Sequence, residues 1–306
     1  MFRSLRKETA SLALSLLAAF GLCLQALPLR AQDQPVVTYL VVKYGDEAAT
    51  QKMAGRFLRD LATFLEQKVS FFDGKIVEGY IANNPDSARA VLAARHPVLA
   101  FVPPGFYFAN LTGRIAAHAV AQIPRFGTDV ERFYLVTTKD GPDSLLQLRN
   151  QVVKTTFAFD LEYLRRVVFP AEFSPDKDFR LLPSENLADE LFLLLEEQRE
   201  GFNSGEMGLA SALLLDEELK RFFQEDEFVW PELKTIWRSP ALPRDLVVSI
   251  GEEWNAAELA DLRDALFAMK NDNLGRALLE MMNSGGIEAV NVGLLQAAEQ
   301  KYFHKK

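Results

Sequence analysis

The sequence predicts an α/β protein of two lobes, each a mainly parallel sheet flanked by helices. Three observations carry this. Val36–Val42 (VVTYLVV) is a near-continuous β-branched run, the mark of a strand buried on both faces. Strand-like and helix-like stretches then alternate through the first third of the chain, which implies parallel pairing with right-handed crossovers. Two extended segments, near Phe133 and near Pro240, read as crossings between the halves. The expected organisation is residues 32–133 as the first part of lobe one, 134–238 as lobe two, and 239–306 as the return to lobe one with C-terminal helices.

Ahead of these lies a basic start, MFRSLRK, running into SLALSLLAAFGLCLQAL, too short and too poorly flanked for a membrane span. That is the pattern of a signal peptide over residues 1–31, cleaved after Ala31, and it predicts a periplasmic or other extracytoplasmic location. An uncleaved N-terminal anchor is the alternative. The single cysteine, Cys23, falls inside this leader. The remainder therefore has no thiol for catalysis, disulfide formation or metal binding. The net charge of −8 becomes more acidic once Arg3, Arg6, Lys7, Arg30 and Glu8 are removed. An acidic surface argues against nucleic acid and anionic membranes as partners.

After Val42, Lys43-Tyr44-Gly45-Asp46 turns the chain, and Ala54, Phe57, Leu58, Leu61 and Leu65 recur at helical spacing within residues 47–67. Residues 75–80 form a second short strand. Asn84-Pro85-Asp86 starts a helix with Ala88, Val91 and Leu92 on one face. Residues 98–102 are the third strand, broken at Pro103-Pro104-Gly105 and followed by the aromatic segment Phe106-Tyr107-Phe108. Helix N-termini and strand ends then share one edge, where Tyr44, the Asn83 region and residues 103–107 converge. There, helix N–H groups favour an anion.

In the second half, residues 133–138 and 152–159 read as strands, 161–169 and 186–199 as helices, and 207–215 as a further strand closed by Asp216 and an acidic helix. Residues 235–248 hold two prolines in an extended apolar segment, which suits a crossing strand. Helices over 256–270 and 273–282 close the chain.

At this point the chain resembles the type II periplasmic solute-binding proteins of ABC importers, in their phosphate/phosphite/phosphonate-binding branch. The resemblance rests on the tyrosine-bearing loop VVKYGDEA and on Ala100-Phe101-Val102-Pro103-Pro104-Gly105-Phe106-Tyr107 after the third strand. Its most specific part is IWRSPALPRDLVV followed by GRALLEMM and GGIEAVN. It implies a two-lobed type II periplasmic-binding-protein fold that closes on a small anionic, phosphonate- or phosphate-like ligand by hinge motion. The receptor would be a monomer that delivers this ligand to a membrane permease. By position, Tyr44, Gly45, Pro104, Gly105, Tyr107, Asp160, Tyr163 and Asp216 would line the cleft. The family places Ser/Thr-rich sequence where this chain reads Asp160-Leu161-Glu162-Tyr163. Two carboxylates there repel a phosphonate, and Pro103 lacks an N–H that a glycine would supply.

Tyr44 and Tyr107 are the aromatic candidates for the cleft wall, while Phe106 and Phe108 belong to the core. Asp160, Glu162 and Asp216 either accept hydrogen bonds from an amine or protonated ligand or serve as first-turn helix acids. Arg244 either pairs with Asp245 at the hinge or binds an anion in bidentate fashion. His96, His118 and His304 lack metal-ligand spacing, so no metal or cofactor is expected. Nucleophile-elbow, Walker and dinucleotide signatures are all missing, so the expected role is a receptor and not an enzyme. A ligand-sensing or partner-binding module on the same fold, without transport, is the alternative.

Overall fold

The computed structural model describes residues 34–44, 50–125, 127–175, 177–184, 186–200 and 210–304. The leader, Gly45 and residues 207–209 of the expected strand lie outside them.

The first sheet is built from β1 (Val36–Val42), β2 (Ile76–Ala82), β3 (Leu99–Val102), β4 (Ala117–Ile123) and β12 (Asp245–Ile250), in the order β2-β1-β3-β12-β4. β1 runs parallel to β2 and β3, whereas β12 is antiparallel to β3 and β4. The return strand thus enters the first sheet from the opposite direction. The second sheet uses β6 (Tyr134–Thr138), β7 (Val152–Thr155), β8 (Arg180–Pro183), β9 (Ala212–Leu215) and β10 (Leu233–Arg238), ordered β10-β6-β9-β7-β8. β7 is parallel to β8 and β9, and β6 is antiparallel to β9 and β10. Two short strands, β5 (Val130–Glu131) and β11 (Leu242–Pro243), pair antiparallel where the chain passes between the sheets. Two hydrogen bonds, one main-chain and one to a side chain, reinforce this ribbon: Ser239 N–H donates to the Phe133 carbonyl at 2.9 Å, and Phe133 N–H to Ser239 Oγ at 2.9 Å.

Helix α1 (Thr50–Lys68) packs Leu61, Phe64 and Leu65, all essentially buried, onto the outer face of the first sheet. Each such side chain contributes on the order of 1.5–3 kcal/mol. α2 (Pro85–Arg95) begins where the proline and cap require it: Asn84 accepts from Ser87 N–H at 2.8 Å and Pro85 fills the first turn. Residues 104–111 form α3, whose last turn widens to π-helical geometry. Residues 161–168 form α4 in the same manner. α5 (Leu187–Glu200) and α6 (Glu217–Gln224) cover the second sheet. α7 (Ala256–Ala268) starts with a capping box between Asn255 and Glu258, and α8 (Asn273–Met281) is capped by Asp272.

Three corrections to the sequence reading follow. Residues 235–248 are not one crossing strand but β10, β11 and β12, with the prolines at the breaks. The chain does not close at residue 282: α9 (Val292–Phe303) follows, burying Ala298 and Tyr302. β4 is a further strand that the sequence pattern does not predict, because AHAVAQI alternates small and polar residues, and buried Gln122 is satisfied by bonds to Glu288 and Asn291.

Candidate functional site

β1 and β3 are parallel neighbours, so the chain leaves both at one edge of the first sheet, placing Tyr44 beside residues 103–105. β7 and β9 are likewise parallel in the second sheet, so residues 158–163 and Asp216 emerge together. Carboxyl ends of parallel strands are where open α/β sheets hold ligands.

The two edges meet. The Tyr44 hydroxyl donates to Asp160 Oδ1 at 3.2 Å. The Tyr44 ring lies 6.0 Å from that of Phe159, tilted 45°, and Phe159 is 46% exposed. Gly105 makes the approach possible: a Cβ there would stand 2.5 Å from Asp160 Oδ2 and 3.0 Å from Tyr163 Cβ. Burial pushes the Asp160 carboxyl up to about 7; the Tyr44 hydrogen bond opposes this and the Asp245 charge adds to it. Tyr44 is raised in turn by its own burial and by Asp160. Tyr163 is buried and raised by desolvation and then by Asp160, Glu131 and Asp245. Its ring lies 6.1 Å from Phe108, which is core as expected, together with Phe106.

The remaining candidates have other surroundings. Pro104 is buried in the first turn of α3. Tyr107 packs against Phe108 at 5.5 Å, and the charge acting on its hydroxyl is Glu299 of α9. Glu162 pairs with Arg165 and Arg166 on α4, so only Asp160 of the two carboxylates reaches the inter-lobe contact. Asp216 is buried and caps α6, accepting from Leu219 N–H at 2.8 Å, and burial raises its pKa.

Arg244 and Asp245 do not pair with each other. Arg244, 2% exposed, is held by Glu131 and donates to the carbonyls of Thr128 at 3.3 Å and Arg125 at 3.4 Å. Its fork is occupied at the β5–β11 ribbon by Glu131 and two main-chain carbonyls, which leaves no bidentate face for a ligand anion. Asp245 instead holds Arg125, which also reaches Glu218 at 3.0 Å. The Asp245 charge raises the Arg125 pKa further. Arg244 stands in the break between β11 and β12 while Asp245 opens β12, so the adjacent pair turns to different partners. Sequence reasoning missed Arg125, Glu131 and Phe159; the first two lie just before and within the short strand β5, and their ion-pair partners are distant in sequence.

Residues 207–292 match the family described as "ABC transporter, phosphonate, periplasmic substrate-binding protein". This span contains the C-terminal motifs on which the sequence resemblance chiefly rests. XAC2383 from Xanthomonas citri, bound to chloride, aligns with a TM-score of 0.66 at 14% identity, covering 87% of this chain and 97% of that one. A binding protein component of an ABC phosphonate transporter from Pseudomonas aeruginosa, PA3383, aligns at 0.60 and 17% identity, covering 88% of each. PhnD1 from Prochlorococcus marinus, in complex with methylphosphonate, aligns at 0.54 and 12% identity, covering 87% and 97%. The fold is that of the type II periplasmic binding proteins. Its two-lobed architecture and the phosphonate-branch resemblance stand as the sequence predicts. Among curated proteins none matches this sequence. Among the described residues no helix is long and apolar enough to cross a membrane, and no group of His, Cys, Asp or Glu could hold a metal ion.

Proposed function

We propose that this chain is the exported solute-binding component of an ABC importer, a non-enzymatic receptor that holds a small solute between its lobes and presents it to a membrane permease. The observation that supports this most directly is the meeting of Tyr44, from the end of β1, with Asp160, from the end of β7. Side chains from both lobes converge at the carboxyl ends of parallel strands, and a narrow ribbon, β5 with β11, lies where the chain passes between the sheets. That arrangement suits hinge closure on a ligand. In this reading lobe one comprises residues 32–133 and 239–306, lobe two 134–238, and the leader 1–31 exports the chain. Tyr44, Gly105, Asp160 and Tyr163 line the cleft, while Arg244 and Asp216 support it.

The phosphonate ligand of PhnD1 and the family match over 207–292 favour an acid-bearing solute. One feature favours a second reading, a sensing or partner-binding module. Pro103 and Pro104 remove two main-chain donors from the corner where an anion would be gripped.

A thermal-shift screen of the purified protein against phosphate, phosphonates, sulfonates, carboxylates and amines tests the receptor role. A solute that binds only the folded state raises the melting temperature saturably. One saturable ligand, together with ligand-dependent stimulation of ATP hydrolysis by a reconstituted permease and ATPase, supports import. Solute binding without that stimulation favours sensing, and silence across the panel counts against a solute receptor.

A further inference from the structure

The edge of the second sheet that carries Asp160 and Asp216 is unevenly charged. β6 runs antiparallel to β9 and β10, so its start and the ends of the other two fall in one row: Tyr134 stands opposite Leu215 on one side and Arg238 on the other. Asp216 follows Leu215, and residues 158–163 follow β7, beyond β9. The acids thus occupy the β9–β7 half of the edge. The β10–β6 half is cationic. Arg238 closes β10, Arg132 precedes Tyr134 by two residues, and Lys220 of α6 places Nζ 4.3 Å from the centroid of the Tyr134 ring. Burial and then Glu217 push the Tyr134 hydroxyl up to about 12, and the Arg132 and Arg238 charges oppose that rise. Glu217, the acid in this group, is already engaged: it accepts from the Tyr134 hydroxyl and pairs with Arg221 at 3.8 Å.

These cations differ from the arginines of the ribbon. Arg125 is held by Asp245 and Glu218, and Arg244 by Glu131. Arg132, Lys220 and Arg238 make no ion pair among the described residues. Nη1 of Arg132 is moreover buried without a hydrogen-bond partner, which is true of no other buried side-chain nitrogen or oxygen among the described residues. A buried charged donor left unpaired is costly, and an oxyanion satisfies it with a short, charge-assisted bond. Pro103 and Pro104 offer no main-chain N–H at the first-lobe corner, so the cationic half of this edge is the better supplied with donors.

Resting on the receptor reading above, we propose that Arg132 is a solute-binding residue: its guanidinium holds the oxyanion of an acid-bearing solute at the β10–β6 half of the edge, with Arg238 and Lys220 adding charge. Neighbouring strands lie about 4.8 Å apart, so β6 is separated from β7 by roughly 10 Å. The oxyanion is thereby gripped away from the Asp160 carboxylate, by side-chain cations of the second lobe.

The test is calorimetric titration of the purified full chain with inorganic phosphate, methylphosphonate and methanesulfonate, at matched ionic strength, alongside Arg132→Met and Arg263→Met. The last makes the same charge change on α7, against the first sheet. Wild type and Arg263→Met are expected to bind at least one of the three saturably and alike, and Arg132→Met to bind it about tenfold or more weakly. The unliganded melting temperature of Arg132→Met is expected to stay level or rise, because the substitution removes an unpaired buried donor. Equal binding by wild type and Arg132→Met overturns the assignment and leaves the receptor reading standing. Equal weakening in both variants overturns it in favour of long-range charge, and weakened binding with a lowered unliganded melting temperature overturns it in favour of a structural role. Indifference of wild type to all three oxyanions also overturns it; the receptor reading then falls as well unless a carboxylate or an amine raises the melting temperature saturably.

Discussion

The Tyr44 hydroxyl donates to the Asp160 carboxylate across 116 residues of sequence and from one lobe to the other. Among the described residues neither has another hydrogen-bonded partner across the two sheets, so this pair is a direct link between the strand ends of the two lobes. Tyr44→Phe keeps the ring beside Phe159 and deletes only the hydroxyl. A single hydrogen bond to a carboxyl contributes about 1–2 kcal/mol. The variant should therefore lose about that much stability in urea titration and show a larger radius of gyration in solution scattering. Unchanged scattering together with unchanged stability would sink the idea that the pair holds the lobes together.

Asp160 also predicts a pH dependence. Its folded-state pKa is raised to about 7, chiefly by burial, while an unfolded aspartate ionises near 3.9. Between those values the folded state binds the extra proton, so stability is fully present below about pH 4 and falls as pH rises toward 7. Glu131 and Asp216 are raised by burial too and act with the same sign. The melting temperature should fall between about pH 5 and pH 8, and Asp160→Asn should flatten part of that fall. A rise in stability over this interval, or an identical slope in the variant, contradicts the assignment.

Much of this was legible in the sequence, and the reasons differ by element. β1 was readable because burial on both faces demands an unbroken apolar run, and α2 because Asn84-Pro85 combines a cap with a first-turn proline. Tyr44 and Gly105 could be placed together because residues just after parallel strands share an edge, whereas Asp160 was pointed to by the family resemblance alone. The direct contact of Tyr44 with Asp160 was not legible, since it depends on how the two sheets face each other. The split of Arg244 and Asp245 between different partners needed the register of β12 against β4. β4 itself hides its burial in alanine and a buried glutamine, whose polarity is satisfied only by the distant segment 288–291.

Arg244 tests the ribbon between the sheets. It is buried, and Glu131 beside it is raised by desolvation, with the Arg244 charge opposing that rise. Arg244→Met removes the cation and leaves the carboxylate unmatched, a change that costs about 3–5 kcal/mol for a buried pair. Replacing both partners, as Arg244→Met with Glu131→Leu, should recover most of that loss, because no charge then remains buried. Urea midpoints of the two single variants and the double variant at pH 8 close the cycle. Simple additivity of the two losses would show that the pair is not coupled across the ribbon.

The C-terminal helix provides the last prediction. Tyr302 on α9 packs its ring 5.4 Å from Phe108 of α3, in the first lobe. Its carbonyl accepts from Arg166 Nη1 of α4, in the second lobe, at 2.7 Å. The same residue therefore contacts a helix of each lobe, next to the α3–α4 contact made by Phe108 and Tyr163. Tyr302→Ala removes a buried ring and should cost about 3–4 kcal/mol, as large-to-small changes in packed interiors do. The main-chain bond to Arg166 survives that substitution, so Arg166→Met separates the two contributions: it should cost less, about 1–2 kcal/mol, because Arg166 is partly exposed and also serves Glu162. Hydrogen exchange locates the effect. Faster exchange in both α3 and α4 of Tyr302→Ala is expected if α9 braces the two lobes, whereas faster exchange confined to α9 would mean that the helix merely docks and braces nothing.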